Sequence, residues 1–483
     1  MAPYTPEALN ALPRGINLAE GRLFQANEMH EAFRVLRREA PVHWNPGTER
    51  FNGFWSVVKY EDILEVSRHP EIFISSKGIG GSGLRYPPEG QSGGNSSIIT
   101  MDPPRHVKMR RLVNKGFTPR AVLQMEPKIR EITNIILDRV EGRETCDFVL
   151  EISSQLPLAV ICGMMGLEEA HWPMMFDFTN QILGSGDPEY QARVAPDKIG
   201  TFEGATLTAA DGNRRMNAFF RDILEDRRRN PRTDDLVSIL VESEIDGERL
   251  TEGDIVAFCN LLVVAGNETT RNAISGGLIV LDEHPEQRDR LMSDMSLMPS
   301  AVEEILRWVS PLHHMSREAT QDHVIRGQTI RAGEKIIMWY PSANRDEDVF
   351  DDPFRFDITR DPNEHLAFGI GEHFCLGAGF ARAEVRIMFE ELFRRFPAIR
   401  VDGPAERLRS NFINGTKHLP LRLNAEHTIL ELTEGAPVLE PGERITLIPH
   451  YSDSTVLLHR EMYAVRGGVI AEVWPITAAG ALQ

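Results

Sequence analysis

The stretch His365-Leu-Ala-Phe-Gly-Ile-Gly-Glu-His-Phe-Cys-Leu-Gly-Ala-Gly-Phe380 decides how this chain is read. It is a glycine-rich loop that presents Cys375 just before residues of helix-forming composition, which predict a helix over Leu376 to Phe396. Glycines at 369, 371 and 377 let the backbone turn tightly and come close to a flat cofactor where a side chain would collide. A helix N-terminus favours a nearby anion, so it helps keep a sulfur deprotonated, as an iron ligand must be. Cys375 therefore reads as an axial thiolate ligand of a haem.

Upstream of that loop, Thr251-Glu-Gly-Asp254 has the form of a capping box, and the helical pattern runs on to Pro285. A helix of that extent is roughly 45 to 50 Å long, enough to cross a domain. Its middle, Asn260-Leu-Leu-Val-Val-Ala-Gly-Asn-Glu-Thr-Thr-Arg271, turns abruptly from apolar to polar, and Glu268 is an unusual charge for such a run. A second capping box, Ser300-Ala-Val-Glu303, is expected to open a short helix carrying Glu304 and Arg307 at i,i+3. Asp102-Pro-Pro-Arg-His-Val-Lys-Met-Arg-Arg111 has helix-start chemistry and sets His106 and Arg110 on one face. Another helix is expected from Thr118-Pro119 to about Val140. Short strand-like runs at 41–44, 53–59, 317–320, 324–325 and 335–340 predict small sheets, and Gly78 to Ser97 reads as a long irregular lid-like loop.

Lysine and arginine total 53 against 71 aspartate and glutamate, a formal net charge of −18, which argues against nucleic acid as the main partner. The cysteines, at 146, 162, 259 and 375, lack the close pairing of a zinc or iron-sulfur centre and suit a reducing compartment. No basic leader and no apolar run of spanning length are present in the sequence, so a cytoplasmic protein without a membrane anchor is expected.

Order and spacing of these pieces are jointly specific. Ala265-Gly-Asn-Glu-Thr-Thr270, Glu304-x-x-Arg307, Phe350-Asp-Asp-Pro-Phe-Arg-Phe356 and Phe368-x-x-Gly371-x-His373-x-Cys375-x-Gly377 resemble the signatures of the cytochrome P-450 family, over roughly residues 20 to 423. The resemblance implies a mainly α fold with small β-sheets, a triangular helical domain holding haem b between a long central helix and the Cys-loop helix. It makes Cys375 the proximal iron ligand with Phe368 packed beside it, and assigns His106, Arg110, Arg317 and His373 to the two haem propionates. It makes Glu304, Arg307 and Arg355 a buried triad, and Glu268 and Thr269 the acid and alcohol that deliver protons during oxygen activation. It implies a monooxygenase that puts one oxygen atom from O2 into a C–H bond of a steroid, terpenoid or fatty acyl side chain. Segments 264–272, 404–410 and 414–418 are similar to sterol side-chain hydroxylases, and 342–350 to terpene-alcohol oxidising members.

No nucleotide-binding glycine fingerprint follows a strand, so electrons are expected from a separate ferredoxin and an NAD(P)H-dependent ferredoxin reductase. Arg105, Lys108, Arg111 and Lys115 are candidates for the docking face. A peroxygenase and a non-catalytic haem-binding sensor stand as the alternatives. The monooxygenase domain is expected over 1–423. Residues 424–483 read as a β-rich extension with strands at 444–451, 455–465 and 469–476, the last two a hairpin across Arg466-Gly-Gly468. That tail is similar to the closing strands of polyketide cyclase-like folds.

Overall fold

The computed structural model describes residues 16, 18–19, 21–45, 53–78, 97–232, 235–245 and 247–423, together with the backbone of 461–466 and 469–475. Helices dominate. The longest, Glu252–Glu283, begins at the expected capping box, with the Thr251 hydroxyl accepting from the Asp254 N–H and the Asp254 carboxylate accepting from the Thr251 N–H. It is continuous through Gly266 and buries residues on all sides, because helices Gln155–Met164, Phe202–Arg229, Met298–Val309 and Ala378–Arg395 pack around it. Gly276 and Gly277 permit the closest of these approaches. A Cβ at Gly276 would stand 2.7 Å from the Val309 side chain, and one at Gly277 2.9 Å from both Ile305 and Phe389. Alanine at either position would force two core helices apart.

Beside the helices lies a five-stranded sheet in the order Val42–Asn45, Phe54–Val57, Lys335–Trp339, His314–Ala319, Phe73–Ile74. Lys335–Trp339 is buried along its whole length, as a central strand must be, and runs parallel to Phe54–Val57 and antiparallel to His314–Ala319. The register sets Ile336 opposite Arg317.

Helix Arg105–Val113 and helix Pro119–Asp138 match expectation, the second capped by the Thr118 hydroxyl. Two sequence readings are corrected. Ser300 is not an N-cap: Pro299 starts its helix earlier, at Met298, and the Ser300 hydroxyl donates to the Leu297 carbonyl. The helix after the cysteine starts at Ala378 rather than Leu376, with Gly377 at its N-cap. Of the tail, strands Glu461–Arg466 and Val469–Pro475 form the expected antiparallel hairpin. The strand expected at 444–451 and nearly all of the Gly78 to Ser97 loop lie outside the described residues.

Candidate active site

A cavity of about 1600 Å³, counted with its mouth, separates the middle of the long helix from the cysteine loop. Cys375 lies on one wall with Phe368 and Gly377, and Ala265, Gly266 and Thr269 lie on the other. The loop is held open by its own backbone. The Cys375 N–H donates to the Phe368 carbonyl at 3.0 Å, and Gly369 and Gly371 take positive φ angles of 66° and 76°. A Cβ on Gly371 would stand 2.6 Å from the Ser67 carbonyl oxygen, so only glycine fits there.

Burial pushes the Cys375 thiol up, against the opposing pull of the Gly377 backbone, Arg110 and Arg382. Bonding to a cation would displace that proton. The other three cysteines are buried, and desolvation drives each of their thiols up to about 12. Cys375 alone among the four opens on the cavity.

At the cavity margin the structure gathers the four expected anchors. His106 and His373 lie in contact with ring centroids 4.1 Å apart and planes tilted by 33°, and the Nε2 of His373 lies 3.2 Å from the Ser75 hydroxyl. Arg110 donates to the Glu372 carbonyl at 3.3 Å, and Arg317 to the Ser316 carbonyl at 2.8 Å. Neither arginine has an acidic side chain in ion-pair contact among the described residues. Burial first, then Arg110, holds His106 down to about 4. Burial first, then Arg317, His106 and Arg110, hold His373 down to about 2. The Nδ1 of His106 is buried without a partner. Two unpaired guanidinium groups and an orphaned imidazole nitrogen around one cavity demand anionic oxygens. Two carboxylates supply them, and a thiolate opposite completes the donor set of a haem. A Cβ built on Gly377 meets no atom within 4 Å, and Ala265 is exposed in mid-helix, so both walls leave room for a flat group. The residues present fit haem.

On the facing wall the Thr269 hydroxyl donates to the Ala265 carbonyl at 2.7 Å. Glu268, expected beside it, does not line the cavity. Adjacent residues of a helix point about 100° apart, and Glu268 is directed into the protein, 1% exposed, with Oε2 2.5 Å from Arg271. Arg271 in turn donates to the side-chain Oδ1 of Asn180 at 3.1 Å. Burial pushes the Glu268 pKa up while Arg271 and then Thr179 oppose it.

Behind the cavity, Arg307 meets Glu304 through bonds of 2.7 and 2.8 Å, both side chains fully buried. The third side chain is Arg360, which corrects the assignment of Arg355. Arg360 Nε lies 3.3 Å from Glu304 and its other nitrogens donate to the carbonyls of Asp351, Asp352 and Arg355. Arg355 offers its carbonyl to Arg307, while its side chain is solvent-exposed and pairs with Asp357 at 3.5 Å. Glu384 also lines the cavity and was missed. Its signal is present: it occupies the i+4 position between Phe380 and Met388, on the apolar stripe of its helix.

A family model described as Cytochrome P450 matches residues 21–411, and one described as "Putative serine dehydratase domain" matches 390–465. The methyl-branched lipid omega-hydroxylase of Mycobacterium tuberculosis is 44% identical over 402 residues, covering 81% of this chain and 90% of that protein. A steroid C26-monooxygenase of Mycolicibacterium smegmatis is 36% identical, covering 88% and 98%. Among solved structures, a Mycobacterium marinum cytochrome P450 in complex with pseudoionone superposes with a TM-score of 0.76 at 35% identity, covering 87% of this chain and 99% of that one. Among the described residues no helix is long and apolar enough to cross a membrane.

Proposed function

Since this chain belongs to the cytochrome P450 family of haem-thiolate monooxygenases, we propose that it carries haem b and hydroxylates a steroid, terpenoid or fatty acyl side chain. The observation that carries this reading is the pairing of the cavity-facing Cys375 with an apolar distal wall of Leu261, Leu262, Leu312 and Met315. The bound haem supplies oxygen activation, one atom going to the substrate and the other to water.

The residues of the chain divide the remaining work. Cys375 anchors the iron, and His106, Arg110, Arg317 and His373 orient the cofactor by donating to its carboxylates. The apolar wall excludes water and holds a lipophilic chain against the Thr269 side of the cavity. Thr269 turns its hydroxyl from the Ala265 carbonyl into the cavity and donates a proton there. Glu268 resupplies that proton on leaving Arg271. Electrons come from a ferredoxin and an NAD(P)H-dependent ferredoxin reductase in the cytoplasm. Lys108, Arg111 and Lys115 are exposed and offer a basic docking face; Arg105, also exposed, pairs with Asp254 at 2.5 Å.

Two spectra test this. The reduced protein under carbon monoxide gives the thiolate-specific Soret band, and Cys375→Ser abolishes it; a wild-type protein lacking the band would overturn the assignment. Titration with sterols, terpenoids and fatty acids then shows the high-spin shift for one class, and no shift with any of them rejects the substrate proposal. The proton relay separates this reading from a peroxygenase. Thr269→Ala is expected to lower product per NAD(P)H and raise peroxide, and an unchanged ratio argues against the relay.

A further inference from the structure

Strand Glu406–Arg407 pairs antiparallel with strand Thr416–His418, and the register sets Glu406 opposite His418. Side chains directly opposite on neighbouring strands share a face. The turn Pro188–Gln191, in the connection between helices Trp172–Leu183 and Phe202–Arg229, brings Glu189 against them. One ligand atom from each of Glu189, Glu406 and His418 then lies within 4.8 Å of the other two. None of the three lines the cavity.

The His418 ring is held as a metal-binding imidazole is held. Its Nδ1 lies 2.7 Å from Asp147 Oδ2, and its Nε2 faces Glu189 Oε1 at 3.0 Å. A carboxylate on one ring nitrogen fixes the tautomer and aims the other nitrogen. Two ligands each about 2.0 to 2.2 Å from a zinc ion stand about 3.0 to 3.5 Å apart, so the ring and Glu189 are already at ligand spacing. Lys417 takes the other oxygen of Glu189, Oε2, at 2.6 Å and leaves Oε1 to the ring. The Glu406 carboxylate completes the triangle, and it has no ion-pair or hydrogen-bond partner among the described residues. The local charge favours a cation: Asp147, Asp187, Glu189 and Glu406 surround a single ammonium, that of Lys417. An imidazole in the set selects a first-row transition ion or zinc over calcium and magnesium, which take oxygen ligands.

We propose that Glu189, Glu406 and His418 form a surface site for a divalent ion of the zinc class, with Asp147 as the positioning residue and water in the open positions. In the metal-free chain a proton bridges His418 Nε2 and Glu189; the ion takes its place and that proton goes to solvent. The bound ion ties segment 184–201 to two strands of the sheet region and takes no part in the cavity chemistry, so the site stands independently of the monooxygenase reading.

The haem-loaded full chain, stripped with a chelator and titrated with zinc chloride by calorimetry, tests this. Wild type should take up one zinc per chain more than Glu406→Gln does. Zinc held elsewhere, by others of the 15 histidines, survives in Glu406→Gln and cancels in the comparison. His418→Gln should lose the same zinc, and Asp147→Asn should weaken it by about tenfold or more without changing the stoichiometry. Glu406→Gln alters an exposed side chain outside the His418 clasp, so its carbon monoxide Soret band should match wild type. Zinc should also slow proteolysis within 184–201 in wild type and leave it unchanged in Glu406→Gln. Equal zinc uptake by wild type and Glu406→Gln overturns the site, as does equal protection of the two. Should Glu406→Gln fail to fold, the same comparison with His418→Gln decides.

Discussion

The buried ions behind the cavity turn on single residues. Glu304 and Arg307 have no exposed side-chain surface, and every Arg307 donor group meets an oxygen of Glu304, Asn344, Pro353 or Arg355. Arg360 adds a second guanidinium to Glu304 and ties three loop carbonyls, all of which would lose a charged donor on truncation. Arg360→Ala is therefore expected to destabilise the protein by about 3 kcal/mol and to lower haem retention. Arg355→Ala removes an exposed side chain and should stay within about 0.5 kcal/mol of wild type. Urea unfolding of both variants checks this, and a larger loss in Arg355→Ala would reverse the assignment. The cysteine, its glycines and the shared face of His106 and Arg110 were legible because each is fixed by chain-local chemistry, a turn, a helix start or an i,i+4 spacing, whereas Arg317, on strand His314–Ala319, was reached only through the family resemblance. The third ion was not. Phe354-Arg-Phe356 and Thr359-Arg360 sit in one loop, and which arginine returns to Glu304 depends on the path of the chain, including a left-handed turn at Asp352 with φ 44°.

At the scale of elements, segment 184–201 joins helix Trp172–Leu183 to helix Phe202–Arg229 and is clasped to strand Thr416–His418. The His418 ring reaches Asp147 Oδ2 at 2.7 Å and Glu189 Oε1 at 3.0 Å. Lys417 adds Glu189 at 2.6 Å and Asp187 at 3.3 Å. Partial burial opposes the charge on His418, but hydrogen bonds to Asp147 and Glu189 outweigh it and raise the pKa. A folded pKa above the unfolded value of about 6.5 means the clasp is fully made below that pH and is lost as pH rises through the folded value. Limited proteolysis within 184–201 should thus be slower at pH 6 than at pH 9, and His418→Gln should remove the difference. A pH dependence that survives in His418→Gln would show that another group sets it. None of this was readable beforehand, because Asp147, Glu189 and His418 are separated by long stretches of chain and meet only through the sheet that pairs Pro420–Arg422 with Thr145–Asp147. Most helices were readable from caps and periodicity, but the sequence pattern puts a break around Gly212, where helix Phe202–Arg229 runs on unbroken.

For the whole molecule, acid is the weak direction, for a reason that the net charge of −18 conceals. Two imidazoles, His313 and His314, are sealed into the packing between the N-terminal helices and the sheet, and a third, His30, is half-buried. His313 lies 4.7 Å from the Phe24 ring, and His314 lies 4.7 Å from Trp339 and 5.2 Å from Phe412. Both ring nitrogens of each are buried without hydrogen-bond partners, as is one nitrogen of His30. Burial is the leading cause in every case: it holds His314 down to about 3, and His30 and His313 well below the ordinary value. These groups fold neutral, while the unfolded chain takes up their protons below about pH 6.5, so stability is whole above that pH and falls as pH drops toward the folded values. For His314 the loss between pH 7 and pH 5 comes to about 2 kcal/mol, a sizeable part of a typical folding free energy, and His30 and His313 act in the same direction. Urea midpoints of the full chain at pH 7 and pH 5 should therefore separate clearly. His314→Phe preserves the aromatic packing between Trp339 and Phe412 and removes one proton site, so it should narrow the gap. An unchanged gap in that variant would place the acid sensitivity elsewhere.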